Sequence, residues 1–281
     1  MTKIALVTDS TPCLTPELVE KYNIHIVPLK IQWENETLLD GIDISPTEFY
    51  ARLEHAKSLP TTSQPSPQDF RKVFDRLIPD YDGILVILIS SGISGTVASA
   101  QSAAAEFSAL PLEIIDTRLA AGSQAIVVLA AARALEQGAS LEEAAEIVKR
   151  AIENMHVFFI VDTLEYLHKG GRIGGASRYM GTLLDIKPVL FLTPDGKIDA
   201  LERVRTRRKA LDRLVELLVD NAGKKPAHLC VFHATALEAA QDVMERASAQ
   251  MNCRESLLLD LGPAIGSHVG PGTVGVAIYT E

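Results

Sequence analysis

Hydroxyls, glycines and a single histidine in three segments are the residues of this sequence best suited to holding a polar group. The segment 60–67, Pro-Thr-Thr-Ser-Gln-Pro-Ser-Pro, stiffens four hydroxyls between prolines. Ser66, followed by Pro67, Gln68 and Asp69, reads as a helix cap, which leaves Thr62 and Ser63 as candidate donors. Segment 90–96, Ser-Ser-Gly-Ile-Ser-Gly-Thr, follows the apolar run Ile84–Ile89 and precedes an alanine-rich helical stretch, Val97 to Ala105. A strand, a glycine loop and a helix start aim amides and hydroxyls at one point beyond the strand's carboxyl end, where an anionic group is the natural occupant. Segment 262–272 reads as a glycine-proline loop whose one imidazole, His268, either satisfies the fold or reaches a ligand.

The order Ser94, then Asp162 or Asp185, then His268 is that of α/β hydrolases. Thr96 stands where the nucleophile elbow needs its second glycine, so this reading is the weaker alternative. Two basic segments, 169–175 and 203–209, interrupt an acidic chain, and within the second Arg205 is a candidate to face an anion. The first fits either an anion nest or a turn. No P-loop occurs, and Gly270, Gly272 and Gly275 precede a strand instead of opening a helix, so no nucleotide or dinucleotide is expected. The seven histidines lack metal-ligand spacing and the three cysteines lack C-x-x-C spacing, so neither a metal nor another cofactor is expected.

Buried strands are expected at Lys3–Val7, Ile24–Leu29, Ile84–Ile89, Glu113–Ile115, Val157–Val161, Pro188–Leu192, His228–Phe232 and Val274–Tyr279. Helices are expected to start at Thr15-Pro16, Ser45-Pro46, Ser66-Pro67 and Ser140, the last with Glu143 as a capping box. Pro194-Asp195-Gly196 reads as a turn joining Val189–Thr193 to Ile198–Val204. The alternation predicts an α/β protein of two lobes: residues 1–160 with a mostly parallel sheet, and 161–281 with a mixed one.

With 281 residues, 47% hydrophobic content and 22% charged residues, the chain has the makings of a folded core and not of a disordered segment. The formal charge of −9 argues against a nucleic-acid partner. The longest apolar run, Ala125 to Ala132, is too short to cross a bilayer, and the first residues do not read as a secretion signal, so a cytoplasmic protein without stable membrane insertion is expected.

Five blocks can be taken together: Val7-Thr8-Asp9-Ser10-Thr11, Thr62 to Ser66, Ser90 to Thr96, Lys169 to Ile173, and Gly266 to Gly272. In order and spacing they resemble the DegV family of bacterial fatty-acid-binding proteins, with Ile186-Lys187-Pro188 and Asp195-Gly196 also fitting. The resemblance implies a long-chain fatty acid of the palmitate or oleate type buried between two α/β lobes, for lipid transport or presentation to a separate fatty-acid kinase. It implies a binding protein, not an enzyme. Carried over residue by residue, Thr62 and Ser94 would hold the carboxylate, with Ser63 beside them. His268 and Arg205 would assist where the acid is presented to a kinase. Arg172 would either face that partner or hold its own loop. The competing readings are a serine hydrolase or esterase using Ser94 and His268, and a redox or isomerase enzyme for which no cofactor fingerprint exists.

Overall fold

The computed structural model describes residues 2–180 and 186–280. Asp185, one of the two aspartates of the hydrolase alternative, lies outside them. The first half runs β1 (Ile4–Asp9), α1 (Pro16–Lys21), β2 (Ile24–Val27), β3 (Lys30–Trp33), β4 (Glu36–Leu39), α2 (Pro46–Glu54), β5 (Thr61–Ser63), α3 (Pro67–Leu77), β6 (Gly83–Leu88), α4 (Thr96–Ala104), β7 (Leu112–Asp116), α5 (Ala121–Glu136) and α6 (Leu141–Glu153). The second runs β8 (Met155–Ile160), α7 (Glu165–Lys169), a 3₁₀ helix (Gly174–Tyr179), β9 (Lys187–Leu192), β10 (Ile198–Val204), α8 (Arg207–Ala222), β11 (Ala227–His233), α9 (Leu237–Ser248), β12 (Cys253–Asp260), α10 (Pro263–Val269) and β13 (Val274–Thr280).

β6 is apolar throughout and every residue of it is buried, as a central strand covered on both faces must be. It lies in a four-stranded parallel sheet of order β2-β1-β6-β7. A six-stranded mixed sheet has the order β10-β9-β8-β13-β11-β12, in which only β11 and β12 run parallel. β8 already belongs to this second sheet, so the chain changes sheet ahead of residue 160. A three-stranded antiparallel sheet, β4-β3-β5, is the part of the architecture that the sequence pattern did not suggest.

The sheets and helices stack in layers. One face of the parallel sheet (Ala5, Val7, Ile84, Val86) packs on Phe70, Phe74 and Ala100 of α3 and α4. Its other face (Leu6, Leu85, Ile87) shares one core with α5, α6 and the inner face of the six-stranded sheet (Phe159, Cys230, Ala277). The outer face of that sheet (Phe158, Val231, Val276) is covered by α8 and α9.

Ser45, Ser66 and Ser140 each form the capping box that their sequence context suggests, while Thr15 starts α1 without a side-chain cap. The Pro194-Asp195-Gly196 turn closes the β9–β10 hairpin, with the Gly196 amide donating to the Thr193 carbonyl at 2.8 Å and a φ of 72° at Gly196. One expectation is corrected: segment 262–272 is not a loop throughout, because Pro263 opens the short helix α10, which carries His268 in its last turn.

Candidate functional site

The carboxyl ends of β1 and β6 point at a cavity between the parallel sheet and the six-stranded sheet, the place where open α/β sheets bind ligands. Thr11, Ile89 and Ser94 line it from the first sheet, Val157, Phe159 and Phe232 from the second, and Ala120 and Ala121 from the start of α5. Leu261, Ala264, Ile265 and His268 complete one wall along α10. The space between the wall atoms, open mouth included, is about 820 Å³. Most of this lining is apolar; Thr62, Gln64, Ser94, Arg172 and His268 form a polar group on adjoining segments, and Thr11 and Thr273 are the lining's other polar members.

Within that group Thr62 Oγ1 lies 2.6 Å from Nε2 of His268. Burial, and then the neighbouring Arg172 cation, hold the imidazole down to about 4, so it is uncharged at neutral pH. Its Nδ1 is buried without a hydrogen-bond partner among the described residues. Ser94 Oγ lies 2.8 Å from Thr96 Oγ1. Arg172 lines the same space and donates from Nε to the Ile93 carbonyl at 3.0 Å and from Nη1 to the Gly170 carbonyl at 2.8 Å. It therefore holds the loop that carries Ser94 against the turn that follows α7.

The Ser94 loop is fixed from the six-stranded side as well. A Cβ at Gly92 would lie 2.4 Å from the Asp195 carbonyl oxygen, so the hairpin turn seats directly on the backbone of this glycine. Ser90 Oγ donates to the Gly196 carbonyl at 2.8 Å, and Arg118 reaches the Asp195 carbonyl at 3.3 Å. Beneath the loop, the buried Asp9 carboxylate accepts from the Ile89 amide at 2.7 Å, from Gln124 Nε2 at 3.2 Å, and from the Thr11 amide at 2.9 Å and its hydroxyl. Burial raises its pKa against these donors. The ends of β1, β6 and α5 are thereby tied at one point.

Of the residues expected at the site, Thr62, Ser94 and His268 come together, with Arg172 beside them. Ser63 sits on the opposite face of β5 from Thr62 and does not line the cavity. Arg205 is exposed just beyond β10 and does not reach it. The expectation that the amides of segment 90–96 are aimed at a ligand is also corrected. Ser91 donates to Asp116, Gly92, Ile93 and Ser94 donate to Ser90, and Thr96 donates to the Ser94 hydroxyl. The loop thus offers side-chain hydroxyls in place of most of its backbone. Gln64 and Thr11 were not singled out. Gln64 lies two residues after Thr62 on extended chain, and that period-two spacing is the signal that would have found it.

A hydrolase triad does not form among the described residues. His268 bonds Thr62, not Ser94, and the Nδ1 that an aspartate would orient is unpartnered. Asp162 is instead bound to Arg207.

The model of the DegV family, which describes its members as uncharacterised proteins, matches residues 3–281. Protein DegV of Bacillus subtilis is 35% identical over 278 residues, covering 97% of this chain and 98% of that protein. The structure described as fatty acid binding of a DegV family protein from Thermus thermophilus superposes with a TM-score of 0.93 at 37% identity, covering 100% of both chains. That of DegV from Bacillus subtilis, described as a fatty acid binding protein, gives a TM-score of 0.90 at 32% identity, again over 100% of both. An apolar cavity with hydroxyls and an imidazole in its wall, on a fold that these proteins share along its whole length, leads to one conclusion: the chain belongs to the DegV family.

Proposed function

We propose that the protein binds a long-chain fatty acid, its tail along the apolar walls and its carboxylate at Thr62 and Ser94. The observation that carries this reading is the make-up of the cavity wall, apolar over most of its area, with Thr62, Ser94, His268 and Arg172 grouped on adjoining segments. Burying about 14 methylenes at about 0.8 kcal/mol each gives on the order of 11 kcal/mol gross, whereas one neutral hydrogen bond nets only about 0.5–1.5 kcal/mol. The tail supplies affinity and the head group fixes orientation. A buried carboxylate left unpaired costs several kcal/mol, which is why hydroxyl donors are needed beside it.

In this reading the chain is one unit of two α/β lobes, near 1–160 and 161–281, and the acid lies between them. The protein is a carrier that performs no chemistry, needs no cofactor, and presents the head group to a separate fatty-acid kinase. An outer cleft lined by Ser91, Gly95, Gly171 and Lys197 adjoins the polar group and shares Ser94 and Arg172 with it, which supports presentation there. The test is solvent extraction of the purified protein followed by mass spectrometry. A stoichiometric acid of about 16 to 18 carbons is expected, the apolar wall taking the tail and the hydroxyl group the head. Absence of any bound acid, together with no uptake of added palmitate, would overturn the reading.

A further inference from the structure

We infer that Gly170 is a positioning residue of the site: its bare Cα faces Nδ1 of His268, keeps the ring proton on Nε2, and so leaves the Thr62 hydroxyl free to donate to a carboxylate. The inference rests on the fatty-acid reading above and adds the direction of its hydrogen bonds. Gly170 follows α7 with φ −75° and ψ −8°, values that any residue adopts, so the backbone does not call for glycine there. Gly171 is the opposite case, with a φ of 70° and open space where a Cβ would stand. What Gly170 lacks is room. A Cβ on it would lie 2.2 Å from Nδ1 of His268 and 3.0 Å from Cε1, so one Cα–H bond points at the nitrogen end-on and not over the face of the ring. Gly170 is also held in place, its amide donating to the Tyr166 carbonyl at 2.8 Å and its carbonyl accepting from Arg172 Nη1 at 2.8 Å.

A neutral imidazole carries its proton on one nitrogen, and the surroundings of the other decide which. Nδ1 is buried and has no acceptor among the described residues, so a proton there would lie unpaired against the glycine's own hydrogen. A lone pair on Nδ1 instead meets that Cα–H as a weak acceptor. The proton is therefore on Nε2, 2.6 Å from Thr62 Oγ1, and His268 donates to Thr62. This direction decides what Thr62 offers a ligand. In the opposite tautomer Thr62 would give its one proton to Nε2 and turn only lone pairs outward, which repel a carboxylate. With the proton on Nε2, Thr62 keeps its own for a head group that only accepts, as a carboxylate does.

Two measurements test this. Nitrogen NMR of lipid-free protein isotope-labelled at its seven histidines, with the His268 signals identified by their loss in His268→Ala, is expected to show Nε2 protonated and Nδ1 bare at neutral pH. A protonated Nδ1 would overturn the inference, and this readout needs no variant of Gly170. Gly170→Ala sets a methyl against Nδ1 and drives the ring off Thr62, so palmitate should bind about five-fold or more weakly. In a His268→Ala background, where no ring is struck, the same substitution should change affinity by less than about two-fold. An equal loss in both backgrounds would overturn the positioning role of Gly170 and leave fatty-acid binding standing. A wild type that takes up no palmitate would overturn the fatty-acid reading, while the NMR result decides the tautomer by itself.

Discussion

Thr62 and Ser66 carry similar hydroxyls in one short segment, yet the structure gives them separate tasks. Ser66 Oγ accepts from the Asp69 amide at 3.2 Å and starts α3, so Ser66→Ala should cost about 0.5–2 kcal/mol of stability and leave ligand binding nearly intact. Thr62 and Ser94 face the cavity, and replacing either by alanine should weaken fatty-acid binding about five- to 150-fold, the equivalent of about 1–3 kcal/mol for a buried acceptor left short of a donor. Fluorescent fatty-acid titrations with thermal melts alongside separate the two effects. Equal binding by wild type, Thr62→Ala and Ser94→Ala would place the head group elsewhere. These hydroxyls and His268 were legible because glycine and proline crowd them into segments that make little sense as core. Ser63 and Arg205 were misplaced because a side chain's direction depends on strand pairing and on where a hairpin ends, which composition does not carry. Thr11 escaped because a buried hydroxyl looks the same in sequence as one that satisfies a turn, and Gln64 because its place two residues after Thr62 counts only once the chain there is known to be extended.

Helix α5 explains a feature that the sequence left puzzling, an apolar run too short for a membrane and lacking a polar stripe. Its residues from Ala121 to Ala132 are all buried, because the helix lies between the two large sheets and has no solvent face over that length. Val127 and Val128, about 100° apart around the helix, are both 0% exposed. On a surface helix one of two such neighbours tolerates truncation. Here Val127→Ala and Val128→Ala should each cost about 1.5–3 kcal/mol, the lost transfer energy plus the cavity left behind. Chemical denaturation of the two variants checks this, and a cost near zero for either would mean that α5 is not packed on both sides. The strands of the large sheets were legible from their continuous apolar runs. β12 was not, since this edge strand carries Arg254, Glu255 and Ser256 in its first half and leaves only three leucines as an apolar run. β3, β4 and β5 are too short for periodicity to mark, and their pairing depends on contacts distant in sequence.

Across the whole molecule, α10 is the element through which the two halves of the chain grip each other at the cavity. At its start the Asp40 carboxylate accepts from the Ala264 amide at 3.0 Å and Cys13 Sγ from the Gly262 amide at 3.1 Å, while Thr62 meets His268 at its end. Burial raises Asp40 to about 6, above its ordinary 3.8, and lowers His268 to about 4, below its ordinary 6.5. The two act oppositely on stability. Asp40 is protonated more readily in the fold, so its contribution is fully present below about pH 4 and is lost as pH rises through 6. His268 is deprotonated more readily in the fold, so its contribution is present above about 6.5 and is lost as pH falls through 4. In wild type the two slopes largely offset between those limits. Asp40→Asn removes one of them, so its stability relative to wild type should rise between about pH 4 and 6, by about 2–3 kcal/mol for a shift of about two units. His268→Asn should show the reverse, gaining on wild type as the pH is lowered over the same range. Urea unfolding of lipid-free protein at a series of pH values measures both differences. Parallel stability curves for wild type and Asp40→Asn would mean that this carboxyl ionises in the fold as it does in water, and that burial at the start of α10 exacts no electrostatic cost.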